Sequence, residues 1–145
     1  EKEGLSPSEM SKVLNKKSGF LGLSCLSSDA RDLNEAADAG NEKAKLTLKK
    51  LTYDITKFIG AYAAAMNGVD LIVFTGGIGE NDVALRKDIC SSLTYLGAKI
   101  DEAKNDTHGE EIKISTDDSK VDVYIIPTNE ELAIARDTKE ICEKL

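Results

Sequence analysis

Cysteine is scarce, and its placement excludes two classes of small protein. Cys25, Cys90 and Cys142 are odd in number and far apart, with no C-x-x-C spacing, so neither a disulfide framework nor a zinc site is suggested. They read as small buried thiols of a reducing cytoplasm. Histidine is scarcer still: His108 stands alone in an acidic stretch, where an imidazole is far more often solvated than catalytic. No apolar run approaches the roughly 20 residues that a membrane-spanning helix needs. Positive charge is in deficit. The formal net charge of −7 argues against nucleic acid as a partner, because a phosphate backbone wants a basic stripe. Nucleotide phosphates stay open as ligands, since local dipoles and a metal can outweigh net charge. The chain opens Glu1-Lys2-Glu3, with no initiator Met and no charged-then-apolar leader, so no signal peptide is expected. Internal repeats and low-complexity segments are missing too.

What is present suits ordinary soluble globular material: 31% charged and 41% hydrophobic residues in 145 positions, one domain's worth of sequence. The run Leu5-Ser6-Pro7-Ser8-Glu9-Met10 specifies a helix start. Ser6 caps, Pro7 fits the first helical position, Glu9 closes a capping box, and Leu5 and Met10 are spaced as a staple. Gly19 is the expected left-handed stop after Lys16-Lys17-Ser18. Residues 20–28 carry no readable pattern. A short helix over 31–39 should end at Gly40, and Asn41 then caps the longest element, running to about Asn67 before Gly68. Within it Ala44, Leu48, Leu51, Ile55, Phe58, Tyr62 and Ala65 recur at spacings of four and three. That stripe fits either a coiled-coil-like dimer seam or a long core helix lying on a sheet.

Asp70-Leu71-Ile72-Val73-Phe74 reads as a strand buried on both faces, because its apolar run shows no alternation. Thr75-Gly76-Gly77-Ile78-Gly79-Glu80-Asn81 follows as a glycine-rich turn. After it Ala84, Leu85, Ile89, Leu93 and Leu96 return at helical spacing, with Asn81 placed as N-cap. Glycines at such a junction let the backbone approach a ligand, and a helix start aims free N–H groups at it. That is the geometry of a phosphate cradle. It is neither a Walker loop, since no Lys-Ser/Thr follows, nor a dinucleotide fingerprint. These residues alone leave a plain tight turn equally open. Further on, residues 98–101 suggest a short strand, and 102–111 a polar surface loop. Residues 112–114 and 121–126 suggest strands around a Thr-Asp-Asp-Ser turn. Pro127 ends the last strand, and Thr128 opens a final helix with Glu131 in a second capping box.

Three blocks carry a resemblance. Phe74-Thr75-Gly76-Gly77-Ile78-Gly79-Glu80-Asn81, continued by Val83-Ala84-Leu85-Arg86, resembles the F-T-[AG]-G-I-G-E-N block of acetate kinases. Ser27-Ser28-Asp29-Ala30-Arg31-Asp32-Leu33 is similar to that family's S-S-D-x-R-D segment. Pro127-Thr128-Asn129-Glu130-Glu131-Leu132, with Ala133-Ile134-Ala135-Arg136-Asp137-Thr138, is similar to its T-N-E-E-L-x-I-A-R-D-T segment. The order is right, and the likeness covers essentially the whole chain.

The resemblance implies an α/β fold: a ribonuclease-H-like mixed sheet flanked by helices, as in actin and the sugar kinases. It implies that residues 1–145 are one domain, the nucleotide-binding C-terminal portion of a two-domain cytoplasmic kinase. The enzyme would move the γ-phosphoryl group of ATP reversibly to acetate, as a homodimer and with Mg²⁺. The family places Gly77, Ile78, Gly79 and Asn81 against the nucleotide, and Asp29 and Arg31 near the adenine. Arg31 can stack on a base and Asp29 can accept from an amine or hydroxyl. Ala30 stands where the family often has a residue that sandwiches the base. By local sequence alone, Ser28 or Asp29 would cap a helix and Arg31 would pair with Asp32 or Glu35. Glu130 corresponds to the Mg²⁺ ligand; Mg²⁺ commonly takes one or two carboxylates plus phosphates and waters. The bland alternative makes Glu130 and Glu131 first-turn carboxylates favouring the helix dipole. Glu80 has no assigned role, since a carboxylate beside phosphates is repulsive. No catalytic residue of the phosphoryl transfer falls in this chain, which is expected to be inactive alone. Propionate or butyrate kinases, and a non-catalytic self-associating module, are the other readings.

Overall fold

The computed structural model describes residues 3–144. They form an α/β structure that divides into two compact units, one reaching to Ile59 and one beginning at Gly60.

The first unit is helical. Helix α1 (Pro7–Lys16) starts as its sequence requires: Ser6 Oγ accepts from the Glu9 amide and the Glu9 carboxylate accepts from the Ser6 amide. Helix α2 (Gly19–Ser24) occupies the segment whose pattern was unreadable. The buried Ser24 hydroxyl accepts from the amides of Leu26 and Ser27, and Cys25 takes the left-handed conformation at the helix end. Helix α3 (Ala30–Asp38) ends before Gly40, whose φ of +93° is left-handed. Helix α4 (Glu42–Ala65), whose residues from Gly60 on belong to the second unit, is capped by Asn41 Oδ1, which accepts from Lys43 and Ala44 amides at 3.0 and 3.1 Å. Its apolar stripe divides. Ala44 is buried and Leu48, Leu51 and Ile55 are half-buried, but Phe58, Tyr62 and Ala65 are exposed. The buried positions farther along belong to Ala63 instead, so one straight seam does not describe the helix.

The second unit holds the sheet. Strands β1 (Leu71–Phe74), β2 (Ile112–Lys113) and β3 (Asp122–Ile125) lie in the order β1-β3-β2. β1 runs parallel to β3, with Phe74 opposite Ile125, and β2 runs antiparallel to it, with Ile112 opposite the same Ile125. Residues 98 and 100 add only isolated bridges to Val121 and Ser115 rather than a strand. Ile72, Phe74, Val123 and Ile125 are buried, as are Leu85, Ile89 and Leu93. The expectation that β1 is buried on both faces fails: Leu71 and Val73 are 48% and 40% exposed. An unbroken apolar run allows cover on both faces, but neighbouring elements must supply it, and here one face of this edge strand is open. The polar stretch after Asp101 is also not all loop. Asp101 caps a short helix α7 (Glu102–Asn105) whose last residue, Asn105, is buried. Of the cysteines only Cys90 is buried, and burial pushes its thiol up to about 11; Cys25 and Cys142 are exposed. Among the described residues no helix is long and apolar enough to cross a membrane.

Candidate nucleotide site

The glycine-rich turn is itself helical. Helix α5 (Gly76–Asn81) follows β1 with Thr75 between them, and α6 (Val83–Ser91) follows directly. Gly76 has φ +72°, a conformation that side chains strain to adopt. At Gly79 a Cβ would stand 3.3 Å from the Phe74 carbonyl carbon, so a glycine lets α5 lie close against the end of β1. Asn81 does not cap α6, as its position suggested. It ends α5, donating Nδ2–H to the Gly77 carbonyl at 2.9 Å, and Asp82 caps α6 by accepting from the Leu85 amide at 2.9 Å.

Six residues rarely hold a helix unaided, because nucleation is costly. Here the carbonyls of α5 have outside partners. Ile78 O accepts from the Asp82 amide, and Gly79 O from the Arg86 guanidinium at 2.9 Å. Glu80 O accepts from the Gly109 amide at 3.2 Å. His108 Nδ1 lies 3.0 Å from Asn81 O and, since a carbonyl only accepts, carries the hydrogen. His108 is thus exposed, as expected, but clasps the turn.

Among the described residues Arg86 is the largest fully buried side chain. Its Nε–H donates to Asn105 Oδ1 and its terminal N–H groups to the carbonyls of Gly79, Asn105 and Thr107, all at 2.8–2.9 Å. Burial lowers its pKa, opposed by the nearby Asp82 charge. Sequence reasoning gave Arg86 no role of its own. Its signal was a charge three and four residues before Ile89 and Cys90 on the apolar stripe of α6, a position that requires buried hydrogen-bond partners.

The structure brings two of the sequence blocks together through Glu80. Its Oε1 accepts from the Gly76 amide at 2.7 Å, the Thr128 amide at 2.8 Å and Thr128 Oγ1 at 3.1 Å. These donors, the Thr128 amide first, hold its carboxyl below the usual range. With its hydroxyl engaged there, Thr128 does not cap the final helix, α8 (Glu130–Glu143), and the expected capping box with Glu131 is not formed. Asn129 caps instead, Oδ1 accepting from the Leu132 amide at 3.0 Å. Glu130 is the first residue of α8 and exposed. Among the described residues no ion pair engages it, and no cluster of three or more potential metal ligands exists. A single free carboxylate fits a magnesium ion that takes its other ligands from phosphates and water. Gly77, Ile78 and Gly79 line the same short helix that Glu80 fastens to Thr128, so this part of the candidate set shares one locality.

Asp29 and Arg31 lie in the other unit. Asp29 caps α3, Oδ1 accepting from the Arg31 amide at 2.9 Å. The same carboxylate holds the Arg31 side chain through Nε at 3.1 Å and a terminal nitrogen at 2.7 Å. Arg31 therefore pairs with Asp29, not with Asp32 or Glu35. This guanidinium, with the Arg31 amide, pulls the Asp29 carboxyl down to about 2. The Arg31 side chain is 87% exposed, so the pair stands open to solvent with its planar face available.

Comparison with known proteins gives one consistent answer. The model of the acetokinase family matches residues 1–136. The acetate kinase of Methanosarcina mazei is 61% identical over 143 residues, covering 99% of this chain and 35% of its own. Among solved structures, Porphyromonas gingivalis acetate kinase superposes with a TM-score of 0.87 at 46% identity, over 97% of this chain and 36% of that one. A Francisella tularensis propionate kinase gives 0.80 at 41% identity, over 92% and 34%. The chain spans about a third of the length of the curated relatives it matches. With a matching family model over nearly all its length, and the glycine turn and Thr-Asn-Glu block joined in one site, the chain belongs to the acetokinase family.

Proposed function

We propose that the chain is the nucleotide-binding C-terminal portion of an acetate kinase. The observation that carries this reading is the fastening of the glycine turn to the Thr128-Asn129-Glu130 segment, two separate family blocks held together by Glu80. In this reading Gly77, Ile78 and Gly79 offer backbone to the nucleotide, and Asn81 holds the short helix that presents them. Asp29 and Arg31 serve the adenine side. Glu130 supplies one carboxylate to Mg²⁺, which when bound would neutralise phosphate charge. In the whole enzyme an acetate oxygen would attack the γ-phosphorus of ATP; the new P–O bond forms as the bond to the β-phosphate oxygen breaks, and ADP leaves. Such transfer rests mainly on positioning and charge neutralisation. The groups that hold acetate and the transferring phosphoryl belong to the remainder of the enzyme, so this chain alone should turn over neither acetate nor acetyl phosphate. The proposed setting is a cytoplasmic homodimer. The exposed Phe58 and Tyr62 of α4 support self-association.

Calorimetric titration of the chain with Mg-ADP tests the reading, with Asn81→Ala as control. Saturable binding that the substitution removes supports it; absence of binding in the full-length protein as well refutes it. The likeness to a propionate kinase favours one second reading, a preference for a longer acyl group. Comparing kcat/KM for acetate and propionate in the full-length protein decides between them.

A further inference from the structure

Glu80 is the carboxylate to which the sequence gave no role, and its geometry is specific. One oxygen, Oε1, takes three hydrogen bonds, so the repulsion expected between a carboxylate and neighbouring phosphates is met by donors already in place. One donor is the first residue of α5. The other two belong to Thr128, 48 positions along the chain and directly before the Asn129 cap. Helix α8 has no buried residue. Among the described residues, the contacts made at its N-terminus are therefore the ones left to fix where it begins.

We infer that Glu80 is a positioning residue: its carboxylate clamps the glycine turn to the start of α8 and so sets the place of Glu130 relative to Gly77 and Ile78. The inference rests on the nucleotide and metal roles proposed above for those residues. Glu80 touches neither nucleotide nor metal; it acts through Thr128. The clamp is also selective in its chemistry. It needs an oxygen acceptor at the Oε1 position, and the negative charge strengthens the bonds made there.

The test is steady-state kinetics of the full-length protein that carries this chain, together with amide hydrogen exchange at Gly76 and Thr128 in the same protein. Wild type, Glu80→Ala, Glu80→Gln, Thr128→Val and the double variant Glu80→Ala with Thr128→Val are compared. Groups that orient a metal ligand are worth about ten- to a hundredfold in metal affinity. Glu80→Ala is expected to raise the half-saturating Mg²⁺ concentration by about tenfold, with a much smaller effect on kcat at saturating Mg²⁺. It should also quicken exchange of both amides. Glu80→Gln keeps the acceptor and restores most of both properties. Thr128→Val retains the amide donor, so its effect is smaller, and it adds nothing in the Glu80→Ala background because the two share one interaction. Unchanged Mg²⁺ dependence in folded Glu80→Ala overturns the proposal, whether or not the amides exchange faster. Equal impairment by Ala and Gln overturns it as well, since charge would then matter and not the acceptor. A wild type without acyl kinase activity refutes the proposed function instead. Amide exchange then still decides the clamp, so the two failures are distinguishable.

Discussion

Replacing Arg86 by alanine is expected to be the most damaging single change to the second unit. The guanidinium is fully buried and donates to four oxygens, of which the bonds to Asn105 Oδ1 and Asn105 O are buried and those to Gly79 O and Thr107 O partly so. Truncation leaves those acceptors unmatched, and each fully buried one costs about 1–3 kcal/mol. Water entering the vacated space recovers part of the cost at the two partly buried carbonyls, and relief from burying a cation offsets more. The net is about 3–5 kcal/mol, the usual range when one side of a buried charged network is removed. Against a total of about 5–15 kcal/mol for a domain, that is a large share. Urea unfolding reads it. With a slope of about 1–3 kcal/mol per molar urea, the midpoint should fall by about 2 M while the slope is unchanged. Arg86→Lys should lose somewhat less, because one ammonium keeps the charge but cannot span four acceptors in a fixed fork. A midpoint within about 0.5 M of wild type for Arg86→Ala, at equal slope, would falsify the claim that this network holds the unit together.

The remaining expectations are smaller. Gly77→Ala should be neutral or stabilising by up to about 1 kcal/mol, since its Cβ meets nothing within 4 Å and alanine favours helix, yet it should weaken Mg-ADP binding if ligand approaches that backbone. Gly76→Ala, at φ +72°, should instead destabilise by about 1 kcal/mol in the same unfolding assay. Asn129→Ala removes the cap of a helix with no buried residue, so the first turn of α8 should lose amide protection and about 1 kcal/mol of local stability. Asp29 has a folded pKa of about 2, depressed from 3.8, so its contribution is present above the unfolded value and lost as pH falls through the folded one. The stability difference between wild type and Asp29→Asn should therefore shrink from about pH 4 down to about pH 2; a difference that grows over that window contradicts the assignment.

Local chemistry was legible where it acts over a few residues. The capping box at Ser6 and Glu9, the Asn41 cap and the glycine stop after α3 could be read directly, because the partners lie close along the chain. Gly19 is left-handed but opens α2, and the residue that closes α1 is Lys17. The same logic misplaced two caps by one residue. Asn81 and Thr128 had suitable side chains, but each was engaged elsewhere, with Gly77 O and with Glu80, and Asp82 and Asn129 took their places. β1 misled for another reason. Its apolar run reports what the strand tolerates on each face, whereas burial depends on what covers it, and Leu71 and Val73 are uncovered.

The sequence by itself determined the family and the order of strand, glycine turn and helix, and it named the residues proposed to meet a nucleotide. Those properties live in short motifs and survive without coordinates. Only the tertiary structure decided that the glycine turn is a short helix, that Arg86 supports its end from inside the core, and that Glu80 joins it to Thr128. The physical reason is separation along the chain. Arg86 meets Asn105 and Thr107 across 19 and 21 positions and Glu80 meets Thr128 across 48, and no local periodicity encodes a hydrogen bond made between elements that only folding brings together.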